Sequence, residues 1–109
     1  AFAEFGDIVI HTTFVGGTFS SPNKLRLVFT DESFLDIWLS PDNDYAYHWE
    51  RRRQSGQMYR WDNAPHHPHV STFPAHFHEG DEPNILESYL ATKPERALRE
   101  ILTFVRRNL

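Results

Sequence analysis

The sequence predicts an α+β fold: a twisted antiparallel sheet of about five or six strands in meander order, with one C-terminal helix packed on it. Three observations predict it. Apolar residues alternate with polar ones in several short runs before residue 62, the period of a half-buried strand. Turn residues separate the runs by only a few positions, and short connections make antiparallel neighbours. From Pro94 onward the apolar spacing changes to that of a helix.

Residues 7–15 are β-branched and aromatic, and Gly16-Gly17 ends them. In residues 24–30, Leu25, Leu27 and Phe29 fall on one face and Lys24, Arg26 and Thr30 on the other. Asp31-Glu32-Ser33 turns the chain. Residues 34–39 alternate again through Leu35, Ile37 and Leu39, and Ser40-Pro41-Asp42-Asn43 is a strong turn. Tyr45, Tyr47 and Trp49 then share one face of a strand, with His48 and Glu50 on the other. Arg51-Arg52-Arg53 read as the continuation of that strand. Ser55-Gly56 signals a hairpin, and residues 57–61 return. Asn63, Pro65, Pro68 and Pro74 interrupt residues 62–74, because proline donates no amide hydrogen bond and a central strand cannot pass through it. An ordered loop is expected there, followed by a short strand around residues 75–78. Thr92-Lys93-Pro94-Glu95 fits a capping box that opens the final helix. Leu98, Ile101, Leu102, Val105 and Leu109 form its apolar stripe, and Glu95–Arg99 and Arg96–Glu100 are spaced as outer-face pairs.

A chain of 109 residues is expected to form one domain, residues 1–109. It can bury roughly 12,000 Å² on folding, enough for a core without staples. No apolar run exceeds three residues, so no spanning helix and no membrane partner are expected. Cysteine is absent, which excludes disulfide scaffolds, thiolate-bound metal and thiol catalysis. Eleven basic residues against fifteen acidic ones give a net charge of −4, so there is no general cationic coat for nucleic acid. The charge is uneven, however. Residues 31–44 carry five acids and no base, whereas residues 48–61 carry Arg51, Arg52, Arg53 and Arg60 against Glu50. An acidic protein with that distribution can still present a local cationic site.

Five of the seven histidines lie within thirteen residues: His66, His67, His69, His76 and His78. Histidine is the side chain that titrates nearest neutrality, and a stiff loop rich in Pro, Trp and His beside a sheet suggests a site. Two imidazoles can take and give a proton in one turnover. Acting on RNA, one would deprotonate the 2′-hydroxyl and another would protonate the leaving 5′-oxygen. His67 is the candidate base and His76 or His78 its partner. Arg60 would hold the phosphoryl charge, since a guanidinium matches phosphate geometry. Asp62 or Asn63 would orient an imidazole. Arg51 and Arg53, on one side of their strand, would lead a phosphate backbone to the loop, unless they only end a solvated strand.

Two other readings compete. His76 and His78 leave the same face of a strand, so with His66 or His67 and a carboxylate they could ligate zinc in a hydrolase. Histidines in loops also serve to cap, bond backbone or meet solvent. His11 and His48 are assigned to that structural class. Of the adjacent His66 and His67 only one can point into a site, and His69 beyond Pro68 is the member expected in solvent. Tyr45, Tyr47 and Trp49 are spaced as core rather than as a base-stacking surface.

Arg60 to Pro68, reading RWDNAPHHP, and the following TFP-x-H-x-H at Thr72 to His78 resemble the TumE family of toxins from toxin–antitoxin pairs. Tyr47-His48-Trp49, the Gly56 hairpin and the terminal helix follow the same order, so the resemblance spans roughly residues 24–107. By position it covers Arg60, Trp61, Asp62, Asn63, His66, His67, His76 and His78. The resemblance implies a small cytoplasmic prokaryotic protein, the toxin of a type II pair with a helix-turn-helix antitoxin. Joined to the histidine chemistry, it gives a metal-independent endoribonuclease with no cofactor, with Trp61, Asp62 and Asn63 at the substrate. The alternative is a toxin that blocks a protein target by occupancy. Strand 7–15, long and apolar, offers a homodimer contact.

Overall fold

The computed structural model describes residues 3–17 and 22–109. A 3-10 turn at Ala3–Phe5 precedes β1 (Val9–Gly17), β2 (Pro22–Phe29), β3 (Phe34–Leu39), β4 (Tyr45–Arg51), α1 (Arg52–Ser55), β5 (Gln57–Asp62), β6 (His76–Gly80), β7 (Ile85–Glu87) and α2 (Pro94–Asn108). The strands form one antiparallel sheet in the order β1-β2-β3-β4-β5-β6-β7. The expected meander is therefore present, with seven strands rather than five or six. The additional strand, β7, has only three residues, too few to show alternation, and is defined by its pairing with β6.

The alternating runs set the two faces of this sheet. Leu27, Leu35, Trp49 and Tyr59 are register partners across β2 to β5, as are Leu25, Ile37, Tyr47, Trp61 and Phe77 across β2 to β6. α2 covers this face with Ala97, Leu98, Ile101, Leu102 and Val105, all buried. Phe104 packs its ring against Tyr59 at 5.1 Å, Trp61 at 5.4 Å and Trp49 at 6.1 Å, each in an edge-on geometry favoured by the ring quadrupoles. Trp49 donates its indole N–H to buried Ser33 at 2.9 Å, so the largest core side chain leaves no unpaired donor. Tyr45, Tyr47 and Trp49 thus pack in and around the core as their spacing predicts.

Three local expectations need correction. Arg52 and Arg53 leave the strand and form one helical turn, closed by Gly56 in the left-handed region at φ 77°, where its N–H bonds the Arg52 carbonyl at 2.8 Å. The capping box at Thr92 does not form: Lys93 is the N-cap, Pro94 is the first helical residue, and no side chain caps the end. The outer-face pairs Glu95–Arg99 and Arg96–Glu100 do not form: Arg99 and Arg106 reach the N-terminal segment, and Glu100 accepts from the Ala91 amide at 3.0 Å. Arg99 bonds Glu4 at 2.8 Å, and Arg106 pairs with Asp7 and lies over the Phe5 ring. β1 ends the sheet, and Ile10 and Phe14 are exposed there. Among the described residues no helix is long and apolar enough to cross a membrane.

Candidate active site

The other face of the sheet follows from the same alternation. Because Leu25, Leu27, Tyr47, Trp49, Tyr59 and Trp61 turn toward α2, the residues between them turn away. Arg26, Asp36, His48, Arg60 and His78 form one cross-strand row there, and Trp38, Ala46, Asp62 and His76 form the next. These rows floor a cavity of about 910 Å³, walled on one side by His66 and His67 from the loop between β5 and β6.

The loop has fixed anchors. Asp62 accepts from the Ala64 amide at 3.0 Å, Val70 is buried, and the Thr72 hydroxyl accepts from the Ser88 amide at 2.9 Å while donating to the Ala75 carbonyl at 2.7 Å. Turn bonds from Val70 to His67 and from Phe73 to Val70 close the middle. His67 is thereby brought over the two strand histidines. Ring centroids lie 4.6 Å apart for His67 and His76, 4.9 Å for His76 and His78, and 5.7 Å for His67 and His78.

Hydrogen bonding fixes the roles of the ring nitrogens. His76 Nδ1 lies 3.0 Å from the Pro74 carbonyl and His78 Nδ1 lies 2.7 Å from the Glu82 carbonyl. A carbonyl only accepts, so both Nδ1 atoms carry a proton. Both Nε2 atoms face Asp62, at 3.1 Å for His76 and 3.7 Å for His78. The shorter is a close polar contact between two buried side chains. The longer contact is beyond hydrogen-bond reach and leaves His78 Nε2 uncommitted. Asp62, 5% exposed, also accepts from Arg60 Nε at 3.0 Å. That bond uses one edge of the guanidinium, whose side chain stays 38% exposed. Partial burial, and then the neighbouring rings of His76 and His78, hold the His67 pKa below the ordinary histidine value, which favours its neutral form.

Donor nitrogens of His67, His76 and His78 all lie within 4.8 Å of one another, so these are the residues that could hold a metal ion. The carbonyl partners of His76 and His78 are the kind of outer contact that metal-bound histidines make. Asp62 is poorly suited as a fourth ligand, because its two oxygens already accept from Arg60 and Ala64.

The structure brings together Arg60, Asp62, His66, His67, His76 and His78 from the sequence candidates. Asn63 also lines the cavity, but its amide joins two backbone groups, accepting from Tyr45 N at 3.0 Å and donating to the Asn43 carbonyl at 2.9 Å. Trp61 lies on the α2 face, stacked on Phe77 at 4.7 Å. Arg51 lies there too, over the Trp49 ring and bonded to the Asn108 carbonyl at 2.6 Å. Arg53 is 80% exposed at the sheet end, 3.8 Å from Glu32. Neither Arg51 nor Arg53 reaches the cavity. Conversely, Lys24, Arg26, Asp36 and Trp38 line it without being sequence candidates, and so does His48, which the sequence assigns to the structural class. The alternation that placed Tyr47 and Trp49 in the core already placed His48 opposite them. Lys24 at 2.8 Å and Arg26 at 2.7 Å converge on Asp36, so one buried carboxylate anchors two cations.

Comparison with family models matches residues 3–109, nearly the whole chain, to the family described as Toxin TumE. No curated protein and no solved structure matches the chain.

Proposed function

The chain belongs to the TumE toxin family, and from that premise we propose that it acts as a metal-independent endoribonuclease, the toxin half of a toxin–antitoxin pair. One observation carries this reading. Three imidazoles in different hydrogen-bonding states meet a guanidinium in one cavity. Groups whose surroundings drive them to different protonation states supply an acid and a base together.

In this reading His67 takes the proton of a ribose 2′-hydroxyl. The 2′-oxygen attacks the adjacent phosphorus, the bond from phosphorus to the 5′-oxygen breaks, and His78 gives a proton from Nε2 to that oxygen. The product ends are a 2′,3′-cyclic phosphate and a 5′-hydroxyl. Arg60 donates its free edge to the non-bridging oxygens, where charge develops. His76, 3.1 Å from Asp62, positions the pair. His67 is the one member of the three that is not buried, so the phosphate would approach the cluster from its side. A helix-turn-helix antitoxin and self-association through the β1 edge belong to the same proposal.

A metal-dependent hydrolase is the specific rival, favoured by the donor spacing at His67, His76 and His78. Induced expression with total RNA examined, for the unaltered chain and His67→Ala in parallel, tests the main reading. Fragmented RNA only with the unaltered chain supports it. Arrested growth with intact RNA would move the assignment to a toxin that acts by occupying a protein target. Cleavage by purified protein that disappears on chelation and returns with zinc would favour the metal site.

A further inference from the structure

The cavity extends well beyond the histidines. At about 910 Å³ it is near the upper end of the range for small-ligand sites, roughly 300–1,000 Å³, and the imidazole cluster occupies one end. At the other end stands Trp38. The chain has three tryptophans; Trp49 is fully buried and Trp61 is 7% exposed, but Trp38 is 39% exposed on the cavity floor. Tryptophan is usually well covered on average, and here no core requirement holds it in solvent.

Its row explains what can lie over it. Trp38 pairs with Ala46, Ala46 with Asp62, and Asp62 with His76. Adjacent strands stand about 4.8 Å apart, so the backbones of Trp38 and Asp62 are separated by roughly 9–10 Å. The only side chain between them on this row is the methyl group of Ala46. A slot therefore opens from the indole to the Asp62–His76 pair. On the far side of Trp38, Lys24 and Arg26 share Asp36, so one positive charge is in excess. Their side chains are 34% and 27% exposed, and Arg26 is braced over the Phe34 ring at 3.8 Å.

We propose that Trp38 is a stacking platform for one unpaired nucleobase of the substrate, next to the phosphate that is cleaved. The sugar of that nucleotide crosses Ala46, its scissile phosphate meets Arg60 and the histidines, and the neighbouring phosphate meets Lys24 and Arg26. The ligand class is single-stranded RNA. In a duplex both faces of the base are covered by its neighbours and the slot cannot be entered. Stacking tolerates every base, so this subsite selects strandedness more than sequence. The inference rests on the proposed ribonuclease reading.

The test uses a short end-labelled single strand with 2′-fluoro sugars, which lacks the attacking hydroxyl, and reads binding by fluorescence anisotropy. Trp38 is exposed, so Trp38→Ala is expected to fold normally. Trp38→Phe keeps an aromatic face and serves as a second variant. The expected result is about tenfold weaker binding for Trp38→Ala, the scale of one base–aromatic stack, with most of the loss recovered in Trp38→Phe. An abasic strand of the same length should bind the unaltered chain and Trp38→Ala equally. Equal binding of the base-bearing strand by the unaltered chain and Trp38→Ala would overturn this inference alone. If the unaltered chain neither binds any strand nor cleaves RNA, the ribonuclease reading and this inference both fall.

Discussion

Asp62 and His76 are direct register partners on β5 and β6, and Asp62 Oδ1 stands 3.1 Å from His76 Nε2 while His76 Nδ1 is held by the Pro74 carbonyl. Both side chains are buried, with 7% and 2% exposure. A buried carboxyl group therefore stands against an imidazole on the cavity floor, and it accepts from Arg60 Nε and from the Ala64 amide. Removing Asp62 leaves the Arg60 and Ala64 donors without their acceptor, and each buried group left unsatisfied costs about 1–3 kcal/mol. Asp62→Ala is expected to lose stability on that scale in urea unfolding.

The two proton-transfer roles separate by position. His67→Ala should slow RNA cleavage by about 10²- to 10⁴-fold, the usual share of general acid–base catalysis, with little change in melting temperature because the residue sits on a loop. His78→Gln should slow it on the same scale. His11→Ala and His69→Ala, whose side chains are exposed, should leave the rate unchanged. A His67 pKa below the ordinary histidine value keeps the base neutral to lower pH, so the acid limb of kcat/KM should fall below pH 6.5. A rate profile from pH 5 to 8 checks this.

Acid should weaken the fold through two carboxylates on the cavity face. Hydrogen bonds from Arg52 and His48 outweigh desolvation at Glu50 and hold its pKa at about 2. At Asp36, desolvation by burial raises the pKa, but the hydrogen bonds and charges of Arg26 and Lys24 together outweigh it and the net shift is downward. A depressed folded-state pKa contributes stability that is fully present above the unfolded value, about 4, and is lost as pH falls through the folded value. The urea midpoint should therefore decline between about pH 5 and pH 2. Glu50→Gln should flatten that decline, and an unchanged slope in this variant would exclude Glu50 as a source.

Helix α2 is the main cover of the sheet's apolar face. Leu102 is fully buried among that packing. Leu102→Ala should cost about 2–5 kcal/mol, the range for a large aliphatic side chain removed from a core. Denaturant unfolding measures it. RNA cleavage by the folded fraction should persist, since α2 lies on the side away from the histidines.

Much of this architecture was legible because alternation and helical spacing are strong signals. Leu25, Leu27, Tyr47 and Trp49 announced which way their strands face, and Leu98, Ile101, Leu102 and Val105 announced the helix. Features set by few residues were not. β7 spans three positions, and α1 depends on one glycine adopting a left-handed conformation. The histidine cluster was visible as composition, whereas its partner Asp62 was one of two candidates until the β5–β6 register placed it opposite His76. His48 is read from sequence as structural and Trp38 carries no sequence signal, because each stands alone in its strand. They become part of the cavity only when four strands are aligned, and sequence parity gives facing but not register. Arg51 and Arg53 show the limit of reading charge alone: the first braces Trp49 and the helix end, and the second points into solvent.

The most direct measurement is the end chemistry and rate of RNA cleavage by purified protein in the presence of a chelator, with the unaltered chain, His67→Ala and His78→Gln compared on one defined single strand. The proposed mechanism leaves 2′,3′-cyclic phosphate and 5′-hydroxyl ends with the unaltered chain, and each variant is expected to lose about a hundredfold or more in rate. Full-rate cleavage by either variant, or no cleavage by the unaltered chain, would contradict it.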